Sequence, residues 1–443
     1  MGRLFGTDGI RGVANVDLRP PLAYALGRAV AHRLAPGGGA IVVGQDTRRS
    51  CDMLVAAIVA GATSMGANVH RLGVVPTPAL AHVAASGEFR AAVMVSASHN
   101  PADDNGLKVL DEHGLKLDDQ VEDELERLIL GADELPSPTN ADLGREIPAP
   151  RLIDGYVAQR GGLAERIGGH LHIVLDCANG SAGTVAPAIL SRTGGRVDTI
   201  FNEPDGKNIN LACGATAPQA LAREVVSRGA DIGFALDGDG DRLIAVDHDG
   251  GIVDGDRVLG ILALDRLARG ALPGGLLIVS ILSNGGLVSA VEQAGGTVVR
   301  TPVGDKYILE GMLVEGAGLG GEKSGHVIVR EHSTSGDGVL TALQILDVMA
   351  RTGRSLSELA AAIPLFPQEQ RAVAVRHRDQ WESDPTLRSA MIEAERRLAG
   401  RGRVVVRPSG TEPALRVMVE GEDGDLVAEL ADSLAAVAVE RLD

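Results

Sequence analysis

Most of the chain alternates short β-branched runs with stretches rich in alanine and leucine, and this rhythm is the strongest constraint on its fold. Residues 40–44 have the pattern of a buried strand, residues 53–66 follow with a helical pattern, and residues 69–75 and 91–95 have the pattern of further strands. Strands that alternate with helices predict a mainly parallel sheet with helices on both faces. The sequence therefore predicts an α/β fold.

The rhythm restarts twice, which indicates that the α/β unit is repeated. New buried strands are predicted at residues 171–176 and 275–280, and beyond residue 367 two amphipathic helices accompany three strand-like segments. We therefore expect three related α/β domains with mixed, mostly parallel sheets and a smaller C-terminal α+β domain. A central cleft would lie where the four domains meet.

Breaks in this periodicity give the expected domain boundaries. Residues 136–150 contain four prolines and have the composition of a linker, residues 247–256 are rich in glycine and aspartate, and residues 363–367 include two prolines. The predicted domains are residues 1–150, 151–253, 254–363 and 364–443.

The charge balance excludes one class of function. The 443-residue chain has 42 lysines and arginines against 59 aspartates and glutamates, so its formal net charge is −17. A nucleic-acid-binding protein needs a basic surface, and base stacking needs aromatic side chains, which make up only 2% of this chain. We therefore expect a small-molecule substrate and no nucleic-acid partner, while a monomer and a homodimer both stay open.

The cysteines and the apolar segments indicate the compartment. Cys51, Cys177 and Cys213 are far apart and form no C-x-x-C pair, so neither a zinc site nor a disulfide framework is indicated. The N-terminal residues lack an apolar signal core, and the longest aliphatic stretch is far shorter than the roughly 18 residues that span a bilayer. We expect a soluble, cytoplasmic protein without a membrane partner.

Small polar residues follow the predicted strand at residues 91–95. In parallel sheets, ligands bind beyond the carboxyl ends of the strands, so Ser98 in the loop Ser-Ala-Ser-His-Asn-Pro is well placed for chemistry. Its hydroxyl could act as a nucleophile or carry a phosphoryl group. On this segment alone, a loop whose serines cap the next helix is an equally good interpretation.

Three aspartates with intervening glycines form the second loop, at residues 236–242. Asp237, Asp239 and Asp241 can all turn their carboxylates towards one point, which is typical of a site for Mg²⁺ or Ca²⁺. An EF-hand is excluded because its sixth and twelfth positions would be Arg242 and His248 rather than glycine and glutamate. Since apolar runs flank the loop on both sides, a metal site is favoured over a solvated acidic turn.

The third loop, at residues 320–326, combines glycines with polar side chains. Glu322 and Ser324 are two positions apart and could hydrogen-bond vicinal sugar hydroxyls. His326 could shuttle protons, although a lone histidine is more often a structural loop residue.

The fourth loop, at residues 407–413, reads Arg-Pro-Ser-Gly-Thr-Glu-Pro between two predicted strands. Arg407, two hydroxyl side chains and a glycine backbone could form a phosphate cradle, to which Arg416 would add a second cation. The alternative is a plain β-turn.

The four loops lie in four different predicted domains. A hydroxyl nucleophile, a divalent metal site, a polyol-binding loop and a phosphate clamp together indicate phosphoryl transfer on a phosphosugar.

With these motifs the chain resembles the α-D-phosphohexomutases. Residues 6–12, Gly-Thr-Asp-Gly-Ile-Arg-Gly, are similar to the N-terminal motif of that superfamily, and the four loops follow in its order. Residues 2–15, 208–214, 301–307 and 334–338 are similar to its bacterial amino-sugar branch, which interconverts the 6- and 1-phosphates of glucosamine.

The resemblance implies a phosphoserine enzyme with a metal cofactor. Ser98 would carry the phosphoryl group, and Asp237, Asp239 and Asp241 would hold one Mg²⁺ per chain together with it. Glucosamine 1,6-bisphosphate would be the intermediate and the priming activator.

The resemblance also implies the remaining site residues. Arg11 and Lys108 would lie near Ser98 as charge stabilisers or proton-transfer groups, and His326 is a further catalytic candidate. The implied substrate-binding residues are Arg242, Gly304, Asp305, Glu322, Ser324, Arg407, Ser409, Gly410, Thr411 and Arg416.

Three residues depart from the pattern of the branch. Cys51 replaces a common glycine and should not touch the chemistry, Lys306 stands where arginine is usual, and Lys323 stands where glutamine is frequent. We expect both lysines near the sugar contacts. A mutase for neutral glucose or mannose phosphates is therefore the main alternative, a non-catalytic phosphosugar-binding protein is a remote one, and a phosphatase lacks a dedicated water-activating base beside Ser98.

Overall fold

Four sheets follow one another in the part of the chain that the structure describes, and they confirm the α/β class. The computed structural model describes residues 4–6, 8–408 and 414–443. Within these residues, no helix is both long enough and apolar enough to span a bilayer.

The first sheet has six strands in the order β1-β5-β4-β2-β3-β6. Strands β4, β2, β3 and β6 are joined by parallel ladders, whereas β5 pairs antiparallel with both β4 and β1. Its elements are β1 (Ile10–Val13), α1 (Pro20–Leu34), β2 (Ala40–Gln45), α2 (Cys51–Ser64), β3 (Asn68–Val74), α3 (Thr77–Ala84), β4 (Ala91–Val95), β5 (Asp104–Asp111), α4 (Asp119–Leu130) and β6 (Glu146–Pro148).

Helices cover both faces of this sheet because successive side chains of a strand point to opposite sides. On β2, Ile41 and Val43 belong to the core with Leu26 of α1, whereas Val42 packs on the other side with Leu80 of α3. The predicted β-α alternation therefore builds two separate core layers around one sheet.

The prediction of a linker at residues 136–150 is wrong for its last part. Residues Glu146–Pro148 form β6 and pair in parallel with β3, with Val69 opposite Glu146. The prolines of this segment argue against a strand in the sequence. In the structure Pro148 is tolerated because β6 lies at the sheet edge, where a missing N–H donor costs little.

The second sheet has five strands in the order β11-β10-β9-β7-β8, of which β9, β7 and β8 are parallel. Its elements are α5 (Asp154–Ile167), β7 (His172–Asp176), α6 (Ala186–Ser191), β8 (Arg196–Ile200), α7 (Gln219–Arg228), β9 (Ile232–Leu236), β10 (Leu243–Asp247) and β11 (Ile252–Val253).

The third sheet has the order β13-β12-β14-β15, with β13, β12 and β14 parallel. Its elements are α8 (Gly255–Ala268), β12 (Leu276–Ser280), α9 (Gly285–Gln293), β13 (Thr297–Thr301), α10 (Asp305–Glu315), β14 (Leu319–Gly321), β15 (Val327–Val329), α11 (Gly338–Thr352) and α12 (Leu356–Ala360).

The second and third units share one hydrophobic core. Phe234 of β9 and Leu277 of β12 belong to the same buried cluster, together with Leu343 and Leu346 of α11. The local sequence pattern did not indicate this shared core, since each unit carries a complete β-α rhythm of its own.

The last unit is a three-stranded antiparallel sheet with the order β16-β18-β17 and its own buried cluster. Its elements are β16 (Gln368–Ala374), α13 (Pro385–Leu398), β17 (Gly402–Pro408), β18 (Ala414–Gly421) and α14 (Gly424–Leu442). The sequence pattern indicates the first strand of this unit at residues 372–375, and β16 starts earlier, at Gln368.

Candidate active site

Ser98 lies in the loop that follows β4, and its side chain reaches the second unit. Its Oγ donates a hydrogen bond of 2.6 Å to Asp237 Oδ2 in the loop after β9. Ser98 is only 1% exposed, and its backbone is left-handed, with φ of 52°. Two loops that are 139 positions apart in sequence are thereby brought into direct contact.

The three predicted aspartates form one buried carboxylate cluster. One oxygen of each of Asp237, Asp239 and Asp241 lies within 4.8 Å of the others, and all three residues are buried. Asp239 Oδ1 and Asp241 Oδ1 are buried without any hydrogen-bond partner. Unpartnered buried carboxylate oxygens are costly unless a cation binds them, so the donor set fits a hard divalent ion such as Mg²⁺.

A glycine allows the loop to turn this tightly. Gly240 has φ of 71°, and a Cβ there would lie only 2.7 Å from the Cβ of Ala182. A residue with a side chain would be strained in this conformation and would push the aspartate loop away from Ala182.

Charged neighbours affect the three carboxylates differently. Burial, together with the negative charges of Asp241 and Asp239, raises the pKa of Asp237 well above its ordinary value. Burial would also raise the pKa of Asp241, but Lys108 and His326 outweigh it and hold that pKa well below the ordinary value. The cluster thus combines one carboxyl group that resists ionisation with one that is strongly ionised.

Lys108 and Thr77 both bind Asp239. Lys108 Nζ lies 2.8 Å from Asp239 Oδ2 and 3.8 Å from Asp241 Oδ2, and the Thr77 hydroxyl donates to Asp239 Oδ2 at 2.7 Å. Both donors use the same oxygen of Asp239, which leaves Oδ1 for a metal ion.

A row of alternating charges extends from the Ser98 loop to the third unit. Arg11 Nη1 donates to Asn100 Oδ1 at 3.3 Å, and Asp8 contacts both Arg11 and Lys116. Lys116 in turn donates to Asp305 Oδ1 at 2.7 Å. The structure therefore brings Arg11 close to the serine loop, as the resemblance implied, and engages the Asp305 carboxylate with a lysine of the first unit.

His326 is 3% exposed and has contacts on both ring nitrogens. Its Nε2 accepts a hydrogen bond from the Gly336 amide at 3.2 Å, and its Nδ1 lies 3.7 Å from Asp241 Oδ2. Burial would lower its pKa, but Asp241 and Asp305 outweigh burial and raise it. These contacts are those of a histidine held in place behind the carboxylate cluster, and its catalytic role stays a prediction.

His99, which the sequence analysis did not single out, lies beside the serine hydroxyl. Its Nδ1 is 3.5 Å from Ser98 Oγ. Burial and the positive charges of Arg242 and Arg11 lower its pKa to about 3, so the imidazole is neutral at neutral pH. The motif contains this histidine, but only the fold shows the cations around it.

At the predicted sugar-binding loop, one carboxylate accepts a hydrogen bond, whereas two nearby buried polar atoms have no hydrogen-bond partner. Glu322 Oε1 accepts a hydrogen bond from the Gly304 amide at 3.0 Å. Ser324 Oγ and Arg242 Nε are buried and have no hydrogen-bond partner, while the Arg242 amide donates to Asp237 Oδ1 at 3.1 Å. Unsatisfied donors of this kind are typical of a site that is completed by a polar ligand.

The two lysines that depart from the branch pattern are engaged with other parts of the protein. Lys306 donates to Asp119 and Glu122 at 2.9 and 3.3 Å, so its ammonium group binds α4 rather than Glu322. Lys323 donates to Gln368 Oε1 of β16 at 2.8 Å. The expectation that both lysines lie near the sugar contacts stays a prediction, and the Lys306 side chain extends from α10 to the first unit.

Two arginines of the last unit stand opposite each other. Arg407 of β17 and Arg416 of β18 are directly paired in the antiparallel ladder. Burial and the charge of Arg416 lower the pKa of Arg407, while Glu322 has the opposite effect. Facing like charges favour an anionic ligand. The other predicted phosphate-binding residues, Ser409, Gly410 and Thr411, lie outside the described residues.

Models of four domains of one protein family match successive parts of the chain. They are described as phosphoglucomutase/phosphomannomutase alpha/beta/alpha domains I, II and III and C-terminal domain, and they match residues 2–135, 154–251, 254–366 and 372–437, respectively. The chain belongs to the α-D-phosphohexomutase superfamily. The resemblance drawn from the sequence motifs is thus confirmed.

Curated relatives in this superfamily match the chain from end to end. The phosphoglucosamine mutase of Moorella thermoacetica is 52% identical over 441 residues, which cover 99% of each chain. That of Carboxydothermus hydrogenoformans is 47% identical over 445 residues and covers 100% of each.

Solved phosphohexomutase structures have the same fold. A phosphoglucomutase/phosphomannomutase family protein from Burkholderia thailandensis matches with a TM-score of 0.83 at 27% identity, covering 98% of this chain and 97% of that one. N-acetylphosphoglucosamine mutase of Aspergillus fumigatus, in complex with GlcNAc-6P and magnesium, has a TM-score of 0.72 at 20% identity, covering 99% and 96%.

Several site-forming residues of this phosphohexomutase were missed in the sequence. Asp46 and Arg48 lie under the Ser98 loop, and Thr77 and Lys116 bind charged site residues. Asp46 and Arg48 follow the carboxyl end of β2, so the strand-end rule that selected Ser98 would have selected them too. Thr77 and Lys116 give no local signal.

A separate cavity of about 550 Å³ lies at the opposite end of the second sheet from the aspartate loop. Its lining includes Leu171 and Asp231, which precede β7 and β9, and Met349 near the end of α11. It contains none of the predicted site residues.

Proposed function

We propose that the protein is a phosphoglucosamine mutase that interconverts glucosamine 6-phosphate and glucosamine 1-phosphate. The observation that carries this proposal is the 2.6 Å contact between Ser98 Oγ and Asp237 within a buried cluster of three carboxylates. Full-length relatives named phosphoglucosamine mutase, at 47–52% identity, support the amino-sugar substrate.

In the proposed cycle, Ser98 carries the phosphoryl group between the two ends of the sugar. The bond from phosphorus to Ser98 Oγ breaks while a bond forms to a hydroxyl of the sugar monophosphate, whose proton passes to a base. This gives glucosamine 1,6-bisphosphate. After the bisphosphate has turned around, Ser98 Oγ takes the phosphoryl group from the other end, and the oxygen that leaves regains a proton.

Asp237, Asp239 and Asp241 would hold Mg²⁺ beside Ser98. The ion would supply positive charge to the transferring phosphoryl group, which is the main source of catalysis in such reactions. Lys108 compensates part of the charge of the cluster through Asp239, and Arg11 is fixed next to the serine loop through Asn100. These fixed cations need no reorganisation when charge develops on the phosphoryl oxygens.

The other predicted contacts would serve both orientations of the sugar. Glu322 and Ser324 would bind the sugar hydroxyls, with Arg242, Gly304 and Asp305 beside them. Arg407 and Arg416, with residues 409–411, would bind the phosphate that does not react.

The proposed product would enter the synthesis of UDP-N-acetylglucosamine and peptidoglycan. A cytoplasmic location and a monomeric or homodimeric state belong to this proposal. The domain limits at residues 150, 253 and 363 belong to it as well.

Intact-mass measurement tests the carrier role. Wild type incubated with glucosamine 1,6-bisphosphate and Mg²⁺ should gain one phosphoryl group, and Ser98→Ala should not. Ser86→Ala, which changes an exposed serine just before β4, is the matched control and should behave like wild type. A phosphoryl group that still appears on Ser98→Ala would contradict the assignment.

A substrate panel tests the sugar. Turnover is compared for glucosamine 1-phosphate, glucose 1-phosphate and mannose 1-phosphate in coupled assays, each after priming with the corresponding bisphosphate. Faster turnover of a neutral sugar would favour the phosphomannomutase/phosphoglucomutase alternative. Binding of phosphosugars without any turnover would favour a non-catalytic protein.

A further inference from the structure

The backbone of the Ser98 loop is held in a conformation that a serine rarely adopts. Ser98 has φ of 52°, in the left-handed region that non-glycine residues seldom occupy. Without outside contacts the loop would relax, and Ser98 Oγ would leave its position 2.6 Å from Asp237. The contacts that hold this conformation therefore control the orientation of the Ser98 hydroxyl.

Arg48 provides the largest group of these contacts. Its Nη2 donates to the carbonyl oxygens of Ser98 and Asn100 at 2.9 and 2.8 Å, and its Nη1 donates to that of Pro101 at 2.8 Å. The Arg48 side chain is 0% exposed. One planar guanidinium group thus donates hydrogen bonds to three carbonyl groups of the loop. It does so from the buried side of the loop, where a substrate cannot contact it.

Asp46 connects this arginine to the amide of Ser98. Asp46 Oδ2 lies 3.0 Å from Arg48 Nε and accepts a hydrogen bond of 2.6 Å from Ser96 Oγ. Ser96 Oγ in turn accepts from the Ser98 amide at 2.9 Å. Both sides of the Ser98 backbone, the amide and the carbonyl, therefore depend on one buried ion pair.

A residue of the second unit completes the support. Asn210 Nδ2 donates to the carbonyl oxygens of Ser98 and Asn100 at 2.9 and 3.1 Å. These are the same two carbonyls that Arg48 Nη2 binds, so the loop is held from the first and the second unit together.

We propose that Arg48 and Asp46 are positioning residues that keep Ser98 aimed at the carboxylate cluster in both half-reactions. The proposal rests on the proposed function, because only a serine that gives and regains a phosphoryl group needs the same side-chain orientation in both half-reactions. Neither side chain is exposed, so neither contacts the sugar. Their loss should therefore lower kcat and leave KM for the sugar phosphate unchanged.

The first test replaces the guanidinium group. Arg48→Gln removes the charge and most of the contacts, and Arg48→Lys keeps a charge beside Asp46 but cannot reach three carbonyls. We expect kcat to fall on the order of 100-fold in Arg48→Gln, as for a misplaced reacting group, and less in Arg48→Lys. Arg49→Gln, which changes the exposed neighbouring arginine, is the matched control and should keep wild-type kcat.

The second test observes the loop itself. Hydrogen exchange in peptides spanning residues 95–103 should be faster in both Arg48 variants and in Asp46→Asn, while exchange in the strands stays as in wild type. Unchanged melting temperatures would show that the variants are folded. If an Arg48 variant does not fold, the comparison uses Asp46→Asn alone, because the asparagine keeps an oxygen acceptor for Ser96.

The outcomes separate the two proposals. Wild type that gains no phosphoryl group from any hexose bisphosphate would contradict the mutase function, whatever the variants do. An active wild type with folded Arg48→Gln and Asp46→Asn at wild-type kcat would overturn the positioning role. A raised KM at unchanged kcat would also overturn it, because it would place Arg48 in substrate binding.

Discussion

Lys108 and Asp239 form a buried ion pair that joins the first and second units, with 2.8 Å between Nζ and Oδ2. The lysine side chain is 3% exposed and the aspartate side chain 0%, so water screens the pair little. Asp239 Oδ1 and Asp241 Oδ1 are buried beside this pair without a hydrogen-bond partner, so the cluster destabilises the protein until a cation binds these oxygens.

Magnesium should therefore stabilise the fold as well as support turnover. A chelator should abolish activity and lower the melting temperature, and Mg²⁺ should restore both, since a ligand at 100 times its Kd adds about 2.7 kcal/mol to the unfolding free energy. Asp237→Asn removes a carboxyl group whose ionisation is opposed by burial and by its neighbours, so its metal-free form should melt above metal-free wild type and respond less to Mg²⁺. Differential scanning calorimetry measures both. Asp249→Asn, at an exposed carboxylate, is the control.

Arg407 should matter for binding more than for chemistry. It lies opposite Arg416 at the predicted phosphate clamp, and a guanidinium group holds a phosphate through charge-assisted hydrogen bonds. Arg407→Gln should raise KM for glucosamine 1-phosphate on the order of 10- to 100-fold, with a smaller change in kcat, and should not destabilise the fold. Steady-state kinetics test this. A large loss of kcat at unchanged KM would contradict the clamp.

Arg160 should be essential for stability rather than for the reaction. Its guanidinium group lies 3.0 Å from Asp337 Oδ2, and both side chains are at most 1% exposed. Arg160→Gln leaves a buried carboxylate without its cation, which should cost about 3–5 kcal/mol. Tyr156→Phe, which removes only a hydroxyl that donates to Asp337, should cost about 1 kcal/mol. Urea denaturation measures both against Arg151→Gln, an exposed control.

Asp256 should make the fold less stable as the pH rises. Burial, with a smaller effect of Asp254, raises the pKa of Asp256 to about 7. An unfolded aspartate has a pKa of about 3.9, so the folded protein keeps a proton that the unfolded chain releases. This stabilising contribution is complete below pH ~4 and is lost as the pH rises through about 7.

Asp256→Asn tests this pH dependence. The amide imitates the protonated carboxyl group, so the variant should gain stability over wild type at about pH 8 and not at about pH 4.5. Urea denaturation at both pH values gives the difference. Asp379→Asn, at an 88% exposed side chain, should show none. An Asp256→Asn variant that is less stable than wild type at the higher pH would contradict the prediction.

Local patterns predicted several buried strands of this protein and the loops that follow them. Ser98 and the three aspartates follow β4 and β9, both of which have buried runs that the sequence displays directly. The strand-end rule then places their loops at a sheet edge where ligands bind.

Contacts between distant segments could not be predicted in this way. Lys306 binds residues that are 184 and 187 positions away, and nothing in its own segment indicates them. Two further features were missed for the same reason, namely the shared core of the second and third units and the edge strand β6. Both depend on contacts between segments that are distant in sequence. Arg48 was missed although its position after β2 was visible.

The shared core has a consequence for the movement of the substrate. The aspartate loop after β9 and the Glu322 loop after β14 follow strands whose side chains pack in the same interior. Close packing of this kind opposes a change in the spacing of the two loops. In the proposed cycle, the two ends of the hexose would therefore exchange places by rotation of the sugar between loops that stay where they are.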